Sequence, residues 1–351
     1  MPKPIICLLA GGQSSEHEVS LISAANVAAA ISREKYDVLT IAIDKEGTWH
    51  WFADGKFAED TNDPCRVHVA PGGVVVFPMR LDGRAVLAAP DGSQAPMPFD
   101  VMFPVLHGKN GEDGTVQGLA ELLGCPCVGC RMTSSAICMD KGFTKQILEH
   151  EGILTAPWMQ VQHGEAFPAT SEVVARLGLP LFVKPANAGS SVGVIKVKRA
   201  EDLEPALREA FQYDYKVLLE KAMVGREIEC AVMGNDSPFC PTPGEIIPKA
   251  EFYSYEAKYI MEDGAVVVAP TRLEPEAEAR VRELAVRIYR ILGCRGFARI
   301  DFFLLSDGTF VLNELNTIPG FTQISMYPKL MIAAGISYPE IVDRLIQLSL
   351  E

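Results

Sequence analysis

Residues 297–320 read FARIDFFLLSDGTFVLNELNTIPG. Two runs of strand-forming residues flank Ser306-Asp307-Gly308, and an Asp-Gly pair favours a two-residue hairpin turn. With Asp307 and Gly308 at the turn, Asp301 falls opposite Glu314 and Arg299 opposite Asn316. The strand period of two places all four on one face, continued by Phe303, Leu305, Phe310 and Leu312. Two carboxylates and an amide oxygen are hard donors of the kind that hold Mg²⁺. Carboxylates this close repel each other unless a cation lies between them. The alternative is a solvated hairpin whose charges pair with Arg299. Polar residues crowd one end of the face and apolar ones fill the rest, which favours the cation site.

Outward from this hairpin, the chain reads as alternating strands and helices. Residues 5–10 are an apolar run of strand length, broken by Gly11-Gly12. A helix is predicted from about 16 to 31, with Ser15-x-x-Glu18 as a capping box at its start. Strands at 38–43 and 101–106 complete a βαβ-type opening. The Gly-, Pro- and Asp-rich stretch 44–98, with strand-like pieces such as 73–77, reads as an elaboration of the first domain. A helix at about 139–152 precedes strands at 181–184 and 194–198, a helix at 200–213 and a strand at 217–220. From about 224 follow strands, a long helix at 275–292, the hairpin and a terminal helix. The organisation is three α/β lobes, without internal repeats or low-complexity tracts.

At 351 residues the chain is more than twice the ~150 residues of a typical domain, so two or three domains with ample core are expected. Hydrophobic residues at 48% and charged ones at 22% exclude a disordered chain. The net charge of −13 leaves no general field for nucleic acid or an anionic membrane, so a bound phosphate must meet a local cluster of Lys and Arg. No apolar run approaches the ~18–20 residues of a membrane span, and the N-terminal MPKPIICLLAGGQ lacks a full signal-peptide core. A cytoplasmic protein is expected. Nine cysteines, an odd number, fit reduced cytoplasmic thiols. Cys125, Cys127 and Cys130 lack a clear fourth zinc ligand, and small buried thiols explain them more simply.

Four further segments carry chemistry. In KPANAGSSVGV (184–194), Gly189, Ser190, Ser191 and Gly193 let a loop lie against a ligand and aim N–H groups at it. Lys184 supplies the charge a polyphosphate needs. The Lys precedes the glycines and no helix follows at once, so this is not the P-loop pattern; a flexible hairpin connection is the alternative. EKAMVGREIEC (220–230) sets Glu220 at a strand end and Glu227 seven residues on. Such carboxylates accept from an adenine amino group or ribose hydroxyls, or are plain surface charges. FYSYEAKYIMEDGA (252–265) mixes aromatic residues with Lys258, Glu262, Asp263 and Gly264, as in a lid that excludes water or an ordinary packed loop. VLHGKNGEDGTVQG (105–118) follows the carboxyl end of a predicted strand, where α/β sheets place their ligands, and carries His107.

In this order, GGQSSEHEVSL, LHGKNGEDG, MDK, KPANAGSSVG, EKAMVGREIEC, YSYEAKY, RIDFF and NELNTIPGFTQISMYPK resemble the D-alanine–D-alanine ligases of the ATP-grasp superfamily over nearly the whole chain. The resemblance implies an α/β protein of α+β lobes in a three-domain ATP-grasp architecture. An N-terminal Rossmann-like preATP-grasp domain spans 1–130, a central lobe 131–223 and a C-terminal lobe 224–351, with ATP between the last two. It also implies a reaction in which ATP phosphorylates the carboxylate of one D-alanine and the amine of a second attacks the acyl phosphate. Residue by residue, Glu16 matches the glutamate that orients the first D-alanine, supported by Ser190 and Tyr259. Lys141 and Lys184 match lysines that hold ATP phosphates, with Ser191 in the same loop; Glu220 and Glu227 match nucleoside contacts, and Lys258 the lid lysine. Asp301, Glu314 and Asn316 match ligands of two Mg²⁺ ions, for which Mn²⁺ substitutes. Arg299 and the Gly320 N–H match the groups that stabilise the oxyanion. Ser325 and Met326 fall where the second D-alanine binds, and His107 lines the site. A homodimer formed through the N-terminal domain and a place in peptidoglycan precursor synthesis are further implications.

Relatives of this type join D-alanine to D-lactate or D-serine instead, and Tyr259 and Met326 favour D-alanine as second substrate. A dinucleotide-dependent oxidoreductase requires G-x-G-x-x-G, which GGQSSEH does not supply. A non-catalytic nucleotide-binding protein is opposed by the intact Arg299 and metal ligands.

Overall fold

A computed structural model of the chain describes residues 2–249, 265–322 and 324–351. The expected lid, with Lys258 and Tyr259, lies outside the described residues. The first lobe opens with β1 (Ile5–Gly11), α1 (His17–Ala30) and β2 (Asp37–Ile43). It continues through β3 (Trp49–Phe52), β4 (Ala58–Glu59), β5 (His68–Val69), β6 (Val74–Val75), β7 (Phe77–Leu81), β8 (Arg84–Ala88), β9 (Met97–Pro98) and β10 (Val101–Pro104). The apolar β1 is parallel to both β2 and β10, in the order β10–β1–β2–β3–β6. Parallel neighbours need a crossover, which α1 supplies between β1 and β2. The elaboration expected over 44–98 resolves into β3 and the edge strand β6, a β4–β5 pair and a β7–β8–β9 sheet.

The start of α1 differs from the capping-box expectation. Glu16, not Ser15, is the N-cap residue and makes no side-chain cap bond, because its carboxylate turns instead to Ser190. Ser14 supplies the local oxygen, its Oγ accepting the Glu16 N–H at 3.0 Å.

After α2 (Thr115–Leu123), a helix missed in the sequence, α3 (Met132–Met139), runs directly into α4 (Lys141–His150). Asp140 makes the break: its carboxylate accepts the N–H groups of Gly142 and Phe143, both at 3.0 Å, and so caps α4. The second lobe is a four-stranded antiparallel sheet of β11 (Trp158–Gln162), β12 (Leu181–Pro185), β13 (Ile195–Val197) and β14 (Lys216–Lys221), ordered β11–β14–β12–β13. Helices α5 (Thr170–Leu177) and α6 (Leu203–Ala210) cover its apolar face, through Val173, Leu177, Leu203 and Leu207.

The third sheet contains β15 (Arg226–Met233), β16 (Gly244–Pro248), β17 (Ala265–Val268), β18 (Phe297–Leu304) and β19 (Phe310–Asn316), ordered β17–β16–β15–β18–β19. Helix α7 (Pro275–Ile291) packs Val281, Ala285, Ile288 and Tyr289 against it. The single terminal helix of the sequence reading is two, α8 (Met326–Ala333) and α9 (Tyr338–Ser349). These return to the first lobe, where Leu330, Ile341 and Leu345 share one core with Leu21, Ala24 and Val27 of α1.

The deciding hairpin has the expected partners by an unexpected route. Asp301 does pair with Glu314 and Arg299 with Asn316. The turn, however, is a three-residue loop, Ser306 to Gly308, closed by the Leu305 N–H to Thr309 carbonyl bond at 2.9 Å, with Gly308 at φ 82°. Alone, that turn would shift the register by one. A bulge restores it, since Phe302 pairs with Leu312 whereas Asp301 pairs with Glu314, leaving Asn313 as the extra residue. The bulge also moves Phe310 and Leu312 off the functional face. They join Ile300 and Phe302 in the core, and the Phe302 and Phe310 rings meet edge to face at 6.2 Å.

Candidate active site

A cavity of about 510 Å³ opens where the three sheets converge. Glu16, His107 and Ser190 reach it from the first and second lobes. Glu227, Arg299, Asp301, Glu314, Asn316, Gly320, Ser325 and Met326 reach it from the third.

At one wall the Glu16 carboxylate accepts the Ser190 hydroxyl. Two glycines make room for it: a Cβ on Gly108 or Gly189 would lie 2.7 or 2.6 Å from Glu16 Oε2. The loop that carries Ser190 is held in left-handed backbone at Ser190 (φ 47°) and Ser191 (φ 62°). Non-glycine residues adopt that region at a cost of about 1–3 kcal/mol, and such strain concentrates at ligand-binding segments.

Behind this loop lies a buried lysine pair. Glu220 on β14 receives Lys184 at 2.5 Å and Lys145 at 2.8 Å, with only 3% of the Glu220 and Lys145 side chains exposed. Burial alone would raise the Glu220 carboxyl, but the two ammonium groups hold it down at about 2. Lys141, one turn before Lys145 on α4, donates to the Ala188 carbonyl at 2.7 Å and stands 4.0 Å from Glu314. Burial lowers its affinity for a proton, with Glu314 opposing. Lys141 thus links the Ser190 loop to the carboxylate face, whereas Glu220 is enclosed by its lysines and does not line the cavity.

On that face Arg299 makes a two-pronged contact with Asp301, at 2.8 and 2.7 Å, and meets Glu229 at 3.0 Å. Asn316 donates to Asp301 at 3.1 Å. Among the described residues no cluster of three His, Cys, Asp or Glu side chains is disposed to hold a metal. A divalent cation would therefore draw on the Asn316 amide oxygen beside the two carboxylates. That all-oxygen set fits Mg²⁺ or Mn²⁺.

The opposite wall is the backbone of 318–321. Among the described residues no acceptor meets the Gly320 N–H. A Cβ at Gly320 would lie 2.8 Å from Ser325 Oγ, so a larger residue there would have to displace that hydroxyl. Ser325 Oγ in turn accepts the Thr322 N–H at 3.1 Å at the start of α8. His107 is buried with both ring nitrogens engaged. A carbonyl can only accept, so Nδ1 carries the proton to the Ile318 carbonyl (3.0 Å) and Nε2 accepts the Ser23 hydroxyl (3.1 Å). Burial holds the imidazole below its ordinary value, in the neutral form.

Three site residues escaped the sequence reading. Lys145 was detectable as the residue four after Lys141 on one helix face. Glu229 meets Arg299 only because β15 pairs with β18 in a register that sets it opposite Asp301, a long-range fact. Glu112 lies in the GKNGEDG segment, where nothing local separates it from a surface acid.

Residues 5–130 match the family described as D-ala D-ala ligase N-terminus, and residues 147–347 that described as D-ala D-ala ligase C-terminus. The D-alanine--D-alanine ligase A of Chromobacterium violaceum is 49% identical over 354 residues, covering all of this chain and 96% of that protein. The D-alanine-D-alanine ligase structure from Coxiella burnetii superposes with a TM-score of 0.85 at 34% identity, over 100% of this chain and 94% of that one. The VanG D-Ala:D-Ser ligase of Enterococcus faecalis superposes at 0.86 and 36%, over 99% and 100%. With both halves matched and full-length relatives at this identity, the chain belongs to the D-alanine–D-alanine ligase family.

Proposed function

We propose that this chain joins two D-alanines at the expense of ATP, releasing ADP and phosphate, for peptidoglycan precursor synthesis. One observation carries the reading: Glu16–Ser190, the Arg299–Asp301–Glu314–Asn316 face and the Gly320 N–H all border a single cavity. Glu16, held by Ser190, orients the ammonium of the first D-alanine, with Tyr259 as further support. Lys141 and Lys184 hold the ATP phosphates beside the Ser190–Ser191 loop, Glu227 serves the nucleoside end, the enclosed Glu220 expected there acts by holding Lys184 in place, and Lys258 belongs to the lid. A carboxylate oxygen of the first D-alanine takes the terminal phosphoryl group, and ADP leaves. The amine of the second D-alanine then attacks the acyl carbon, phosphate departs and the amine loses a proton. Arg299 and the Gly320 N–H face the oxygen that becomes negative in that step. Ser325 and Met326 receive the second D-alanine.

Asp301, Glu314 and Asn316 would hold two Mg²⁺ ions, or Mn²⁺. Such ions neutralise phosphate charge as it shifts. We place the enzyme in the cytoplasm. We propose a homodimer built on the first lobe, where Phe77, Met79 and Leu81 present an exposed apolar row on β7 beside the 81%-exposed Leu122.

Relatives named D-alanine--D-alanine ligase at 44–49% identity favour D-alanine as second substrate over the D-serine of the 36%-identical VanG enzyme. Phosphate release with Mg²⁺-ATP and D-alanine alone, with added D-serine or with added D-lactate, and products identified by mass, separates them. Dipeptide from D-alanine alone is the expected result. Turnover on a mixed pair only would transfer the specificity, and turnover on none would overturn the assignment.

A further inference from the structure

Segment 318–321 carries the Gly320 N–H between two anchored residues: the first lobe holds both backbone groups of Ile318 and the Phe321 N–H, while the Phe321 carbonyl accepts the Tyr338 hydroxyl of α9 at 2.7 Å. Glu112 Oε1 accepts the Ile318 N–H at 3.2 Å, while His107 donates to the Ile318 carbonyl at 3.0 Å. One peptide residue is thereby gripped on both of its backbone groups. Farther along, Ser23 Oγ accepts the Phe321 N–H at 3.3 Å and donates its own hydrogen to His107. The second Glu112 oxygen, Oε2, accepts the Gly108 N–H at 2.8 Å. Gly108 is the residue whose absent Cβ makes room for the Glu16 carboxylate. Glu112 therefore ties the peptide abutting Glu16 to the peptide two residues before Gly320. It is 9% exposed, and Ser23 is fully buried. A buried carboxyl is costly unless its oxygens find donors, and here each oxygen has a backbone donor from a different side of the lobe junction.

We propose that Glu112 is a positioning residue for the ligation: with His107 and Ser23 it clamps the Ile318 peptide, so that the Gly320 N–H is held in fixed relation to Glu16. The inference rests on the ligase reading of the site. An oxyanion donor acts only if it is preorganised, and a misplacement of ~1 Å costs on the order of 10²-fold in rate. Among the described residues no hydrogen bond or ion pair joins Glu112, His107 or Ser23 to Lys184, Lys145 or Glu220 at the nucleotide end.

Glu112→Met keeps the length of the side chain and removes both acceptors; Glu112→Gln removes the ionisable group but keeps an acceptor. In E112M, kcat for D-alanyl-D-alanine formation should fall on the order of 10²-fold, with the calorimetric Kd for ATP unchanged. E112Q should lose less than about tenfold. Equal losses in the two variants would assign Glu112 an electrostatic effect and overturn the clamp, as would wild-type turnover in E112M. A parallel loss of ATP affinity would mark a general loosening and overturn it too. Should E112M fail to fold, Ser23→Ala, which alters no charge, carries the test: a fall in kcat at constant ATP Kd supports the clamp and an unchanged kcat overturns it. A wild-type enzyme that makes no D-alanine dipeptide would instead sink the ligase reading on which the inference stands.

Discussion

Replacing Glu220 with Gln tests the charge balance beneath the Ser190 loop. The carboxylate lies between Lys145 at 2.8 Å and Lys184 at 2.5 Å, and Lys145 has one further contact, the Ala156 carbonyl at 3.3 Å. Glutamine leaves two buried ammonium groups facing each other. The folded carboxyl sits at about 2 against an ordinary 4.5, a difference of 2.5 units. At 1.36 kcal/mol per unit this amounts to about 3 kcal/mol of stability at neutral pH. Breaking a buried pair from one side typically costs about 3–5 kcal/mol, so the two routes agree. Because the folded value is depressed, this stability is fully present above pH 4.5 and is lost as the pH falls toward 2. Urea unfolding followed by circular dichroism should therefore show E220Q weaker by about 3–5 kcal/mol at pH 7, with the gap narrowing below pH 4.5. Lys145→Met added to E220Q should recover part of the loss, a coupling of about 1–3 kcal/mol. A cost under about 1 kcal/mol, or a gap independent of pH, would refute the reasoning.

Three other outcomes follow from the same geometry. Arg299→Ala should lower turnover on the order of 10²–10³-fold in a phosphate-release assay, and unchanged turnover would remove Arg299 from the oxyanion step. Asp301→Asn should raise the Mg²⁺ concentration for half-maximal activity by about 10–100-fold while ATP still binds without metal; an unshifted titration curve would argue against the cation site. Glu112 runs opposite to Glu220: burial, then the charge of Glu16, pushes its carboxyl up to about 8. Between pH 4.5 and 8 the folded state holds a proton that the unfolded chain releases, so stability falls as pH rises through that window. Wild type should lose a few kcal/mol relative to E112Q across it, and parallel urea midpoints would contradict this.

What could be read in the sequence, and what could not, divides by range. The β1–α1–β2 opening and the functional pairing of β18 with β19 were legible, because each rests on local periodicity and one turn signal. The turn type was wrong by one residue and the bulge at Asn313 cancelled the error, since a bulge answers to packing that strand alternation does not encode. For the same reason Phe310 and Leu312 were assigned to the wrong face. Helix α3 was hidden because Asp140 joins it to α4 without a loop. Of the site, the residues carried by Gly-rich or acidic motifs stood out. Glu229 and Glu112 did not, because their roles depend on a strand register and on a loop-to-loop contact across 206 positions.

The buried charges around the site are better explained by the reaction than by stability. Lys145–Glu220–Lys184, Lys216–Asp140 and Arg299 with Asp301 and Glu229 are each nearly closed to solvent. Well-packed apolar residues in place of a buried ion pair are often neutral or stabilising by about 1–4 kcal/mol. A chain shaped by stability alone therefore had an equal alternative at each position. The Lys145–Glu220–Lys184 triad allows the point to be tested. A triple change, Lys145→Met, Lys184→Met and Glu220→Leu, removes all three charges together and leaves no unpaired ion. It should unfold at higher urea than E220Q and close to wild type, yet lose ATP binding. If the triple variant is instead less stable than E220Q, the fold itself needs the ion network, and the charges cannot be credited to nucleotide binding. If it keeps both stability and ATP affinity, Lys184 does not hold the phosphates.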